Sequence, residues 1–225
     1  MSTVGMLKAA GAGVGDEVIV PAFGNVEVAK AVALAGATPV FADIDPATYC
    51  LDPAAVEAVV TAQTVAVIVV HRFGRPADVA RLHGVGQRHG LLVLEQGESG
   101  APYDEIAQRR ERAAYLDGRL NGVRTPDGGD GHTYQQYVVR VPGNGRPDRD
   151  AFARAVRAKG IDCQVPVKTP VHRMPAFRRD VCLPETERAA DETLTLPVDA
   201  SLTRREMQRI VSACNALGGL LQPAF

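Results

Sequence analysis

The sequence predicts an α/β protein: a parallel sheet of about four strands with helices on both faces, followed by a small α+β carboxy-terminal domain. Three observations carry this. Short β-branched apolar runs alternate with helix-length segments through the first hundred or so residues. The third run, Val65 to Val70, is apolar throughout, as in a strand covered on both faces. Beyond about Tyr103 the alternation stops and polar, arginine-rich sequence begins. Strands alternating with helices at this spacing build parallel sheets with right-handed crossovers.

Residues 17–20 end at Pro21 and read as a buried first strand. Asn25 can cap a helix over 26–35, with Glu27 in its first turn and Gly36 as its stop. Residues 38–42 are the second strand. Asp52 then Pro53 marks a helix start, because the fixed φ of proline suits the first helical position. Residues 65–70 are the third strand. A helix over 77–89 stops at Gly90, and 91–94 is the fourth strand. Residues 105–120 read as a linking helix with sparse apolar positions, Ile106, Ala113, Ala114 and Leu120. Residues 126–131 form a glycine-rich turn that no strand precedes, unlike a phosphate loop. Residues 134–141 alternate as a strand; Asp148 or Asp150 can cap a helix that ends at Gly160; 162–167 is a further strand. Thr203 with Glu206 makes a capping box, and Met207, Ile210, Val211, Cys214 and Leu217 then form one packing stripe. These elements divide into a domain over 1–102 and a second over 103–225.

The 225 residues are 46% hydrophobic and 23% charged, which fits a globular protein with a real core. A net charge of -1 makes no electrostatic case for nucleic acid or an anionic membrane. No apolar run approaches the ~20 residues of a membrane span. Met1 to Gly15 lacks a basic region followed by an apolar stretch, so no secretory signal is expected and the expected location is cytoplasmic. The cysteines, Cys50, Cys163, Cys182 and Cys214, are widely spaced and form no zinc pattern, and the histidines show no metal-ligand spacing.

Four separated blocks carry a resemblance. They are Gly15-Asp16-Glu17-Val18-Ile19-Val20-Pro21-Ala22-Phe23, Ala35-Gly36-Ala37-Thr38-Pro39-Val40-Phe41-Ala42-Asp43-Ile44-Asp45-Pro46, Val70-His71-Arg72-Phe73-Gly74-Arg75-Pro76-Ala77-Asp78 and Arg88-His89-Gly90-Leu91-Leu92-Val93-Leu94-Glu95. In order and spacing they resemble the DegT/DnrJ/EryC1/StrS sugar aminotransferases, enzymes of the pyridoxal-phosphate (PLP) fold type I. Tyr134 to Val141, Val171 to Phe177 and Leu183 to Ala190 resemble that family's carboxy-terminal domain. The resemblance implies strand order 2-1-3-4, with a ligand cleft where the order reverses between the first and third strands. It also implies a dimeric habit, as a homodimer or with a homologue.

The resemblance also sets requirements that this sequence does not meet. A PLP aminotransferase needs a Schiff-base lysine, an acid opposite the ring nitrogen, a stacking partner and phosphate donors. The family's acid directly follows the glutamate that matches Glu95; here that position is Gln96. The family's glutamine three residues on is Ser99, and the lysine segment that should follow is missing, because Gly100 runs almost directly into Tyr103. The Ser-Gly-Thr phosphate segment lies upstream of the first block. The expectation is therefore an aminotransferase-like protein with no cofactor, using acid–base chemistry on a small molecule in the old cleft. The alternative is a non-catalytic partner of a full-length homologue.

His71 and Glu95, at adjacent strand ends beside the cleft, are the candidate acid–base pair. The plain alternatives are a turn histidine bonded to backbone and a carboxylate paired with an arginine. Phe23, Arg72, Phe73, Gln96 and His172 are candidate substrate-binding residues. Arg72, like Arg75 and Arg173, could clamp a carboxylate or phosphate.

Overall fold

The structure, a computed structural model, describes residues 2–24, 26–97, 102–129, 131–141 and 148–218. The chain forms two compact units. The first comprises Met1–Arg72, Pro76–Glu98 and Thr169–Arg188; the second comprises Phe73–Arg75, Ser99–Lys168 and Ala189–Phe225. Thr169–Arg188 thus returns to the first unit from far downstream in the sequence. Asp43 gives the reason for that return. Its carboxylate accepts from the backbone N–H of Glu185 (3.0 Å) and Thr186 (2.8 Å) and from the Thr186 hydroxyl (2.7 Å). A carboxylate forty residues into the chain thus caps a helix far downstream, where it also meets the positive end of the helix dipole.

The first unit contains α1 (Thr3–Ala9), β1 (Glu17–Pro21), α2 (Val26–Ala35), β2 (Thr38–Ala42), α3 (Pro53–Ala58), β3 (Thr64–Val70), α4 (Val79–His89) and β4 (Leu92–Gln96). Its strands pair in parallel in the order β2-β1-β3-β4, as the resemblance implied. Side chains alternate between the faces of a strand. Val18, Val20, Ala66 and Ile68 therefore pack with Leu7 of α1 and Val28 and Val32 of α2. Ile19, Val67 and Val69 pack with Val56 of α3 and Leu82 and Val85 of α4. Asp52 caps α3 as expected, accepting from the Ala54 N–H with Pro53 at the first helical position. Gly90 ends α4 with φ +68°, a left-handed conformation that glycine adopts freely. β4 is the sheet edge, and Leu92 on it is 39% exposed.

The second unit contains α5 (Tyr103–Asp117), β5 (Tyr137–Arg140), α6 (Asp148–Ala158), β6 (Thr193–Leu196) and α8 (Arg204–Gly218); α7 (Pro184–Glu192) precedes β6. β5 and β6 are antiparallel, and their core includes Tyr137, Val139, Leu194, Ile210 and Cys214. The capping box of α8 is present: the Thr203 N–H and hydroxyl donate to Glu206, and the Glu206 N–H donates back to the hydroxyl.

Several expected bounds are corrected. β5 begins at Tyr137, not 134, because Tyr134 has φ +48° and cannot continue a strand. Residues 162–167 form no strand; one bridge, Gln164 to Thr195, survives, and Pro166 has no N–H to extend it. The linking helix stops at Gly118 rather than 120. β4 runs on to Gln96 because Val70 of β3 still pairs with it. α4 starts at Val79, where Asp78 caps it by accepting from the Arg81 N–H. α1 was not expected. The cap expected of Asn25, and Ser99, lie outside the described residues.

Candidate active site at the carboxyl ends of β3 and β4

Strand parity decides which candidate residues meet. On β4, Val93 packs on the α4 face and Leu94 on the α1–α2 face. Glu95 and Gln96 continue this alternation and are sent to opposite faces. Gln96 turns toward α1 and donates from its amide to the Thr3 hydroxyl. Glu95 turns toward α4. His71 follows β3 with the parity of Val67 and Val69, so it emerges on the same face as Glu95. Its Nε2 lies 3.7 Å from Glu95 Oε2, with side chains 24% and 44% exposed. The expected pair is thus brought together, without Gln96.

A second imidazole completes the cluster. His83 Nε2 lies 3.3 Å from Glu95 Oε1. Sequence reasoning missed it, although a signal existed. His83 stands four residues after Val79 and one after Leu82, both of which pack toward the sheet from α4. Among the described residues Glu95 therefore pairs with two histidines and not with an arginine.

The His71 ring is fixed by the backbone. Its Nδ1 accepts from the Ala77 N–H at 3.0 Å. An imidazole nitrogen that accepts carries no proton, so the neutral ring bears its hydrogen on Nε2, facing Glu95. That nitrogen has no lone pair to offer a metal ion. Among the described residues no group of three or more His, Cys, Asp or Glu side chains can hold one.

The other candidates lie apart from this pair. Phe23 is fully buried and stacks on Tyr49, with ring centroids 5.7 Å apart. The Arg72 guanidinium sits 5.9 Å over the Phe23 ring and against Gly24, where a Cβ would come within 3.3 Å of Cζ. Arg72 also neighbours Cys50, whose thiol is pushed up to about 11 by burial. Phe73 is buried in the second unit with φ +57°. His172 is fully buried, its Nε2 3.2 Å from Glu187 Oε1, in a segment pinned to the first unit by Val171 N–H donating to the Ala22 carbonyl at 2.9 Å. Glu187 also accepts from Arg173, and these bonds, Arg173 first, hold its carboxyl below the usual range. His172 is thus buried, and its Nδ1 has no hydrogen-bond partner among the described residues.

The lysines and the residue after Glu95 bear on the PLP chemistry that the family resemblance implies. All four lysines, Lys8, Lys30, Lys159 and Lys168, are exposed. Lys30 is paired with Glu27 on α2, and Lys159 and Lys168 belong to the second unit. Gln96 is a neutral amide already engaged by Thr3, so it supplies no negative charge to a pyridinium.

Comparison with known proteins gives one family. Its profile, the DegT/DnrJ/EryC1/StrS aminotransferase family, matches residues 3–98 and 103–215. A UDP-2-acetamido-2-deoxy-3-oxo-D-glucuronate aminotransferase from Pseudomonas aeruginosa is 45% identical over 293 aligned positions, covering 91% of this chain and 80% of the relative. That alignment is longer than the 225 residues of this chain, so the relative carries residues that this chain lacks. The L-glutamine:scyllo-inosose aminotransferase of Streptomyces griseus is 52% identical over 89 residues, 40% of this chain and 21% of that protein. The crystal structure of the aminotransferase TlmJ from Streptoalloteichus hindustanus superposes with a TM-score of 0.87 at 23% identity, covering 98% of this chain and 84% of that one. Its low identity speaks to the fold alone. With the profile matched over nearly the whole length, the chain belongs to the DegT/DnrJ/EryC1/StrS aminotransferase family.

Proposed function

We propose that this chain does not transaminate on its own and instead performs cofactor-independent acid–base chemistry on a small polyhydroxylated substrate in a natural-product or deoxysugar pathway. The observation that carries the reading is the convergence of His71, Glu95 and His83 at the carboxyl ends of β3 and β4. Three facts support the loss of transamination. The family match breaks between residues 98 and 103, no lysine is buried, and Gln96 stands where the resemblance expects an acid. The relatives' names, which speak of oxo-sugars and an inosose, support the substrate class. The test is to add PLP and record the visible spectrum. No stoichiometric band of lysine-bound cofactor is expected. Such a band, lost on replacing one lysine, would overturn the proposal.

A second reading, a non-catalytic partner, rests on β4. It is the last strand of the sheet, its Leu91 to Leu94 run contains no charge or proline, and Leu92 is exposed. Natural proteins cover, charge or shorten such edges. Pairing with a second copy or a homologue would cover it. Light scattering at micromolar concentration tests this: a dimer that Leu92→Lys dissociates supports the reading, and a clean monomer rejects self-association.

A further inference from the structure

We infer that His71 and Glu95 form an enolising pair, with Glu95 as the base and His71 as a neutral hydrogen-bond donor, and that the substrate is an α-hydroxy ketone or aldehyde. This rests on the cofactor-independent reading proposed above and names the reaction at the His71–Glu95 pair. The expected acid–base pair is given a division of labour.

Because the Ala77 N–H occupies His71 Nδ1 at 3.0 Å, the neutral ring is fixed as the Nε2–H tautomer, and a proton on Nδ1 would face another donor. A neutral ring in this state has no lone pair with which to remove a proton. It can only offer Nε2–H, and it offers it toward Glu95 Oε2 across 3.7 Å. That separation is too long for a formed hydrogen bond. It leaves the donor available to a carbonyl oxygen placed beside the carboxylate.

Glu95 is the complementary half. Its Oε1 is engaged by His83 at 3.3 Å, which directs Oε2 toward His71. His83 is thus a positioning residue. A carboxylate base beside a fixed neutral imidazole is a general solution for removing a proton next to a carbonyl, since the imidazole N–H can stabilise the developing oxyanion.

The step balances without a co-reactant. Oε2 takes the hydrogen from the hydroxyl-bearing carbon. The electrons of that C–H bond form the carbon–carbon double bond, and the carbonyl π electrons move to oxygen, which accepts from Nε2–H. The carboxylic acid returns the proton to the former carbonyl carbon, a hydroxyl proton passes between the two oxygens, and the carbonyl reforms one carbon along. Returning the proton to the original carbon gives exchange or epimerisation instead. Both outcomes need only the proton that Glu95 takes from the substrate, which trades with solvent before its return where exchange is observed. The partial exposure of both side chains lets a small ring or chain reach them.

Two measurements on the full chain test this. Imidazole ¹⁵N NMR at neutral pH is expected to show His71 as the Nε2–H tautomer; a proton on Nδ1 would overturn the assignment whatever the activity. In D₂O, dihydroxyacetone and 2-hydroxycyclohexanone serve as probes, followed by loss of the α-proton signal. Exchange above buffer background is expected. Glu95→Gln should lower it by about 10²-fold, within the usual range for an acid–base group, with the melting temperature unchanged. His83→Ala should lower it less, and His83→Gln should partly restore it. No exchange, with probe-induced shifts at His71 and Glu95, would overturn the reaction class and leave the pair as part of a binding site. No exchange and no shifts would sink both the inference and the reading beneath it.

Discussion

Two histidines in this protein share one local device and put it to different ends. His71 and His132 each accept a backbone N–H on Nδ1, from Ala77 at 3.0 Å and from Tyr134 at 3.1 Å. Their surroundings then diverge. His71 faces a carboxylate, and its side chain is 24% exposed. His132 is 4% exposed and lies flat on Tyr134, with centroids 3.9 Å apart. Tyr134 stacks in turn near Tyr137, whose hydroxyl donates to Asp117 at 2.5 Å. Burial first, then the charges of Arg75 and Arg110, push the His132 ring down to about 4. Asp117, desolvated in the same cluster, is pushed up. A fixed tautomer is thus compatible with chemistry or with architecture. The group facing Nε2, and its access to water, decide between them.

The largest expected effect tests the architectural side. His132 titrates at about 4 when folded against an ordinary 6.5, so the unfolded chain takes up its proton first as pH falls. Stability from this group is full above pH 6.5 and is lost progressively down to about pH 4, by roughly 3 kcal/mol in all. Urea unfolding across that window should show the loss, and His132→Gln should remove most of the slope. An unchanged slope would break the comparison.

Gly74→Ala comes next. Gly74 has φ +83°, and a Cβ there would stand 2.3 Å from Thr133 Oγ1 and 2.7 Å from the Gln135 nitrogen. The Thr133 N–H donates to the Gly74 carbonyl at 2.8 Å, so this turn and the His132–Tyr134 segment move together. A cost of about 1–3 kcal/mol is expected in urea melts. Asp43→Ala removes the cap of α7 from the first unit and should cost about 0.5–2 kcal/mol, with faster proteolysis between residues 169 and 188. The smallest effect sharpens the contrast: His71→Ala deletes one bond to a half-exposed turn and should cost about 1 kcal/mol or less. A loss as large as that of His132→Ala would make His71 architectural too.

Much of the first unit was legible in the sequence, because its signals are local. Proline after Asp52, glycine after His89, and the unbroken run from Val65 to Val70 each fix one element through backbone geometry or burial. The strand order came from the resemblance of four blocks. The second unit was less legible. Residues 162–167 alternate well enough for a strand, yet only Gln164 bridges, to Thr195, and Pro166 has no N–H to extend the pairing. A left-handed Tyr134 delays β5 to Tyr137. Which residue Gln164 meets is set by a segment far away in sequence.

What the sequence alone determined was the alternating α/β layout, the family blocks, the absence of an acid after Glu95, and the candidate pair His71 and Glu95. Only the tertiary structure separated Glu95 from Gln96, since the two-residue period of β4 turns neighbours to opposite faces. Tertiary structure alone also recruited His83 from α4, buried His172 beside Glu187, and brought Thr169–Arg188 back onto Asp43. The physical reason is the same in each case. Residue type and spacing fix what a side chain can do and which way its element turns it. Its partner is fixed only when a distant element packs against that face.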